Sequence, residues 1–560
     1  SSFYVREFAE KTSRPDRFVG LHYFFHPAKN RLLEVIPHAE TSPETVAKAN
    51  LFAKLHGKTA IAVKDTPGFA VNRFFVPFLN EAARMLAEDM ANIATIEAAA
   101  KQAFKIGMGA FELMNVTGIP IAVHSADTLG RELGPFYATS ETLRAQMESG
   151  ENWDLSGEVD ESKIEAVSDR FLGVCLGVAA TLVDEGVASI EDTDRGAKIG
   201  LRWIQGPFEI MNRIGIEKTH ALVAAACNIY PDFKMPEILE KQKAFGRPFE
   251  FKVVDLETKG PIAFITINRP EAMNSLNEVV VAQLAEKFDQ AEANPAVSAI
   301  VFQGAGKAFV AGADIRFFVK KIKSDRIVDI ETFTRKGHEL LLKIENSKKR
   351  TIALLDGLSL GGGSELALAC QDILATPAAS MGFPETGIGI VPGLGGMFRL
   401  ARFTGPALAK YFVFTGAPIS AQDALDLGII AKIVAPMDVD AALMDMIADG
   451  RKAQQPEVKH PTKFTPYANA FTGENLDNLL SGAPPAGISE EIADRIVKSV
   501  KHKAPIALRM ASDIIDQQVG LPVVDAIEVE LSQLKAIFST ADALEGLSSL
   551  GRKRPEYKGV

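Results

Sequence analysis

Along the first 65 residues, apolar positions fall in short runs broken by polar turns, a texture of strands rather than long helices. Residues 18–25, 32–36 and 59–63 read as strands. Between the second and third, Ser42-Pro43-Glu44 supplies a cap, a proline at the first helical position and a first-turn acid, which predicts a helix start. Strand–helix–strand of this kind is the back half of an α/β sheet. From about residue 66 to 240 the spacing lengthens to a helical period, and the chain repeats itself. Gly109-Ala110-Phe111-Glu112-Leu113-Met114-Asn115 returns as Gly206-Pro207-Phe208-Glu209-Ile210-Met211-Asn212, an offset of 97 residues. The same offset pairs Arg73 with Arg170, Glu88 with Glu185, Ile93 with Ile190 and Gly118 with Gly215. A constant offset without gaps predicts duplicated helical domains. Residues 228–250 carry Pro, Lys and Gly without a clear period and read as a linker. A second α/β pattern opens at 251–254 and 262–267 and continues through 299–302 and 351–355, with amphipathic stretches between. Residues 453–486, rich in Pro, Asn and Gly, read as an excursion on the surface.

The expected architecture is multidomain, α/β plus all-α, with boundaries at 1–65, 66–155, 156–240 and 250–560. Composition narrows the chemistry. The 560 residues are 47% apolar and 24% charged, the balance of a globular protein, which excludes a disordered, collagen-like or disulfide-stapled chain. A net charge of −10 with no broad basic face argues against a nucleic-acid partner. Cys175, Cys227 and Cys370 lie far apart and show no metal-ligand spacing, which implies inert thiols in a reducing, cytoplasmic setting and no metal site. No run approaches the roughly 18–20 apolar residues needed to span a bilayer. Small-molecule enzymology is the class that remains.

The densest chemistry lies between residues 361 and 396. Gly361-Gly362-Gly363-Ser364-Glu365 leads into a helix, so bare amides and a positive helix terminus stand ready for an oxyanion. Gly382-Phe383-Pro384-Glu385-Thr386 follows, then Pro392-Gly393-Leu394-Gly395-Gly396. Upstream, Ala311-Gly312-Ala313-Asp314-Ile315 offers a second turn whose amide could complete a two-donor hole. These motifs, with Asn268-Arg269-Pro270, Ala272-Met273-Asn274, Phe538-Ser539-Thr540 and Glu545-Gly546, resemble the crotonase (enoyl-CoA hydratase) superfamily over residues 250–560. The resemblance implies a crotonase ββα-spiral domain and acyl-CoA thioester substrates, with coenzyme A as part of the substrate. The amides of Ala313 and Gly362 would then form the oxyanion hole. Glu365 would deprotonate the attacking water and Glu385 would protonate the α-carbon. Ala272, Asn274, Asp314, Ile315 and Gly361 would line the acyl-CoA cleft. Lys553, Arg554 and Lys558 form a basic tail that either meets CoA phosphates or is simply solvated.

The N-terminal part resembles the 3-hydroxyacyl-CoA dehydrogenases, through residues 17–22, Glu34-Val35-Ile36, residues 64–69 and Val71-Asn72-Arg73. This implies a partial Rossmann-type sheet, tandem helical dehydrogenase C-terminal domains and NAD as cofactor. His22 would take the hydroxyl proton with Glu34 supporting it, and Ser1 and Asn72 would contact substrate. The family's His-Phe-Phe-Asn-Pro run is one residue longer here before Pro27, which leaves His26 as the alternative base. The second helical copy has Asp169 where the first has Asn72, and is expected to be structural only. No G-x-G-x-x-G follows a first strand, so the NAD-binding half is expected to extend upstream of Ser1, in a longer bifunctional protein. Hydration followed by oxidation is the implied sequence. A crotonase-type isomerase or hydrolase, the same steps run in the biosynthetic direction, and an acyl-CoA-binding scaffold are the rivals. A homo-oligomer is possible, and no membrane span is expected.

Overall fold

The computed structural model describes residues 3–449, 457–458 and 461–560, which fall into two compact units, Ser1–Phe251 and Lys252–Val560. The substrate residue expected at Ser1 lies outside the described residues.

In the first unit, β1 (Gly20–Tyr23) pairs antiparallel with β2 (Leu32–Ile36), and β2 pairs parallel with β3 (Thr59–Ala62). A parallel neighbour needs a crossover, and the helix Pro43–Leu55 supplies it. It starts where the cap signal put it, with Ser42 Oγ accepting the Thr45 N–H at 3.2 Å. Every residue of β2 is buried, as its central place in this small sheet requires.

The 97-residue repeat is a structural duplication. In the first copy, the buried Glu97 accepts from the amides of Phe111 and Glu112, which open the helix Ala110–Thr117. In the second, Asp194 accepts from Phe208 and Glu209 at the start of the helix Pro207–Ile214. Each carboxylate presses on a glycine. A Cβ on Gly109 would lie 2.4 Å from Glu97, and one on Gly206 would lie 2.2 Å from Asp194. Asn115 brackets the backbone of Trp153 through donor and acceptor, and Asn212 does the same to Phe249. The copies are also joined reciprocally: Arg73 pairs with Glu185, while Arg170 pairs with Glu88. Equivalent residues exchanging partners is the signature of a self-complementary interface, here closed within one chain.

Two expectations change in this unit. Residues 228–250 are not a linker. Pro236 and the left-handed Gly246 bracket a helix, Glu237–Phe245, and Phe249 is buried edge-on against Phe208 at 5.0 Å. The segment completes the second helical copy. Among the described residues, one helix, Glu161–Asp184, is long and apolar enough to cross a membrane by composition. Its apolarity belongs to a core, since Phe171, Cys175 and Val178 are fully buried among neighbouring helices.

The second unit alternates between two sheets. β4 (Val254–Lys259) and β5 (Ile262–Ile267) form a hairpin that continues in parallel through β6 (Ala299–Gly304), β8 (Arg350–Leu355), β10 (Asp372–Ala375) and β13 (Lys432–Ile433). β7 (Ala308–Ala311), β9 (Leu358–Leu360), β11 (Ser380–Gly382) and β12 (Ile419–Ser420) form the other sheet. Each step of the chain thus lays one strand on each sheet, which is the expected ββα spiral. Of the stretch 453–486, the described residues 457–458 and 461–486 include a packed part. Phe464 and Phe471 are buried against Phe412 and Phe414, so this part is core rather than surface excursion.

Candidate active sites

β9 ends at Leu360, and Gly361 turns the chain with φ +47° into the helix Gly362–Ala369. No residue with a Cβ would fit there, because that atom would lie 2.1 Å from Glu385 Oε1. The turn leaves the Gly362 N–H at the helix start with no acceptor among the described residues. The Ala313 N–H is likewise unused, although both its neighbours are bonded: Gly312 donates to Leu360 O and Asp314 to Leu276 O. The residues predicted to form a two-donor hole therefore both carry a free amide.

Glu365 sits one turn into that helix and is buried. Its Oε1 accepts from the amides of Leu394 (2.7 Å) and Gly396 (2.8 Å), so the glycine-rich loop closes over it. Glu385 opens a short 3-10 turn, Glu385–Ile388, and its Oε2 is buried with no hydrogen-bond partner. Burial pushes both carboxyls above the usual range, and they differ in how much opposes it. For Glu365 the two amides and the Arg399 cation pull back toward the ionised form. Glu385 is pushed well above the usual range by burial and by the charge of Glu365, with its own backbone and Lys503 opposing weakly. One carboxylate and one carboxylic acid is the state this environment favours. The C-terminal segment braces the turn: Tyr557 Oη donates to Gly387 O at 2.7 Å, and Gly546 approaches Ile388 too closely for any side chain.

The remaining cleft residues divide. Asp314 caps the helix Ile315–Lys323 and binds Arg316 through both carboxylate oxygens. Ile315 packs against the core, and Ala272 ends a 3-10 turn. Asn274 is a correction. It is fully buried, its Oδ1 accepts from Arg269 N, and both Nδ2 hydrogens go to Ala305 O and Ala308 O, so its amide staples a turn inside the protein instead of lining the cleft. In the basic tail, Lys553 is paired with Glu545, and the Lys558 amide is fastened to Asp542.

In the first unit, the β1–β2 register sets His22 directly opposite Glu34. His22 Nδ1 lies 2.5 Å from Glu34 Oε2. The other oxygen of Glu34 accepts from the amides of Ala70 and Val71 (3.1 and 3.0 Å) at the N-terminus of the helix Val71–Ala87, where the helix dipole holds the negative charge. His26 instead forms an exposed turn at φ +60°, its carbonyl accepting from Lys29 and Asn30. The partner of the carboxylate is therefore His22. His22 and Asn72 line a cavity of about 720 Å³ with a largely apolar wall that includes Phe75, Phe78 and Ile121. Leu201 and Trp203 of the second helical copy also line it, so that copy is more than a structural brace; Asp169, for its part, faces Lys218 at 3.3 Å.

A dinucleotide needs a glycine-rich turn running from a strand into a helix N-terminus. Among the described residues of 1–66, β2 enters the helix Pro43–Leu55 through a loop without glycine, and Ser42 itself takes the Thr45 amide. These residues do not fit the pyrophosphate of NAD. They supply the acid/base pair and the cavity.

Residues 262–558 match the enoyl-CoA hydratase/isomerase family. Residues 1–66 match the NAD binding domain of 3-hydroxyacyl-CoA dehydrogenase, and residues 68–158 its C-terminal domain. A short-chain-enoyl-CoA hydratase from Clostridium acetobutylicum is 29% identical over 306 residues, which are 54% of this chain and 97% of that protein. A probable enoyl-CoA hydratase from Rhizobium meliloti is 30% identical over 311 residues, 55% of this chain and 98% of that one. A solved enoyl-CoA hydratase from Rhodobacter sphaeroides has a TM-score of 0.48 at 22% identity, covering 55% of this chain and 93% of its own. The chain belongs to the enoyl-CoA hydratase/isomerase family, and it carries 3-hydroxyacyl-CoA dehydrogenase domains ahead of that unit.

Proposed function

We propose that the second unit hydrates trans-2-enoyl-CoA to (S)-3-hydroxyacyl-CoA, and that the first unit serves the oxidation of this product to 3-oxoacyl-CoA. The observation that carries the hydratase reading is the unlike pair Glu365 and Glu385 beside two unused amides. Water attacks the β-carbon while Glu365 takes its proton. The displaced electron pair moves onto the thioester oxygen, held by the N–H groups of Ala313 and Gly362. Glu385 gives its proton to the α-carbon as the carbonyl re-forms. One water has been added, and a proton returned from Glu365 to Glu385 resets the pair.

In the first unit, His22 accepts the 3-hydroxyl proton. Glu34, itself held by two helix amides, stabilises the resulting imidazolium. Residues 1–66 match an NAD binding domain, and what their described part contributes to the oxidation is this acid/base pair.

The test is loss of the conjugated-thioester absorbance of crotonyl-CoA on mixing with the protein, without NAD. Glu365→Gln and Glu385→Gln should each lower kcat by roughly 100- to 10,000-fold, the usual worth of a positioned acid or base. If one variant keeps full hydration activity, the two-carboxylate mechanism is wrong, and the other carboxyl alone serves as both base and acid.

A further inference from the structure

The helix Val523–Phe538 carries two glutamates with opposite fates. Glu528 is exposed and paired with Arg335, whereas Glu530 is buried. Glu530 Oε2 accepts the Gly395 N–H at 2.8 Å, and its Oε1 accepts from Gln518 Nε2 at 3.0 Å. Gln518 is anchored in turn by donating to Ala526 O at 2.8 Å. Three successive amides of the glycine-rich loop are thus divided between two carboxyl groups. Those of Leu394 and Gly396 go to Glu365, and the one between them goes to Glu530. Gly395 adopts φ +86°, which lets the loop thread between the two acids.

We propose that Glu530 is a positioning residue of the hydration site, which holds the Gly395 amide so that the flanking amides stay aimed at Glu365. The proposal rests on the hydratase reading above. Removing the acceptor leaves a buried N–H unpaired, and rotation of the peptides around Gly395 then becomes the way to satisfy it. Such a rotation takes an amide away from Glu365, whose ionised form depends on those two donors.

The surroundings of Glu530 keep it uncharged, so that it acts without adding a second negative charge. Burial and the nearby Glu365 push its carboxyl up to about 8, against Arg399, Gln518 and the Gly395 amide. From the helix Ile327–Glu345, His338 Nε2 lies 3.7 Å away. Burial, Arg399 and Arg335 hold that imidazole neutral, down at about 3.

Three variants test the proposal in the crotonyl-CoA assay with the full chain. Glu530→Gln keeps an oxygen acceptor in place and should retain kcat within about threefold. Glu530→Ala and Glu530→Asp withdraw it. Each should lower kcat by about 10- to 100-fold, the scale of a displacement near 1 Å, with KM nearly unchanged. In both, the acid limb of the kcat/KM profile should move up by about one pH unit, because Glu365 has lost a donor to its charged form. A kcat loss with an unmoved acid limb would mean a merely structural role, and no loss in either variant would mean none at all; both overturn the proposal. If Glu530→Ala does not fold, Glu530→Asp, which keeps the polar group and most of the volume, decides alone. A wild-type chain that fails to hydrate crotonyl-CoA removes the parent reading and this one with it, whereas an active wild type with unaffected variants removes only this one.

Discussion

Glu385 occupies a position that favours chemistry over stability. Its carboxyl is buried with one oxygen unpaired, and its proton affinity is raised well above the ordinary value by burial and by Glu365. The folded state therefore holds a proton that the unfolded state releases near pH 4.3. Stability from this group is fully present below that pH and declines as pH rises toward the raised folded value, by about 1.4 kcal/mol per pH unit. Glutamine has no proton to lose and fits the same space. Glu385→Gln should consequently be more stable than wild type, with an advantage that widens from pH 5 to pH 8 in urea unfolding curves. An advantage that stays flat with pH would mean that the folded carboxyl ionises normally. At this scale the sequence was partly informative. Glycines, two acids and a helix start mark the site, because oxyanion chemistry demands small residues where backbone must face a ligand. The spent amide of Asn274 was not legible, since its three bonds reach strand and turn residues as far as 34 positions away. Glu530 was invisible for the same reason: its loop lies 135 residues upstream.

Between the helical copies, what matters is how the elements exchange charge. Arg170 sits between Glu81, which is fully buried, and the half-exposed Glu88, and it also donates to Tyr230 Oη. Its counterpart Arg73 is just as buried, but its partner Glu185 is half exposed. Truncating Arg170 leaves Glu81 to Arg84 and Tyr230 alone, and an under-compensated buried charge typically costs about 3–5 kcal/mol. Truncating Glu88 breaks a pair open to water, worth about 1 kcal/mol or less. Arg170→Ala should therefore lower the urea midpoint sharply and Glu88→Ala only slightly; equal effects would show that the Glu81 end does not anchor the interface. The duplication itself was readable because it preserved spacing. The helix Glu237–Phe245 was not, because it buries only Leu239, too little to stamp a period on nine residues. The packed part of 461–486 escaped for a related reason: its apolar residues are aromatic singles separated by turn formers, and their burial is decided by the helix Pro406–Thr415 beneath them.

In the whole molecule, each compact unit has its own hydrophobic core. The cluster around Phe78, Phe171 and Phe208 draws only on residues of Ser1–Phe251, and the cluster around Phe302, Phe383 and Phe412 only on residues of Lys252–Val560. A core is the cooperative element of folding, so a chain with two cores is expected to lose them as two events rather than one. Each charge effect described above belongs to one core. Arg170 braces helices of the first unit, and Glu385 is buried in the second. Calorimetry of the full chain at pH 8 should therefore show two transitions. Arg170→Ala should move one of them down, Glu385→Gln should move the other up by a few degrees, and the double variant should show both displacements at their single-variant size, as effects confined to separately unfolding units add. A single transition shifted by both substitutions would show that the units unfold as one. In that case the acid/base pair at His22 and the carboxyl pair at Glu365 and Glu385 would draw on a common stability, and a substitution near either would be felt at both.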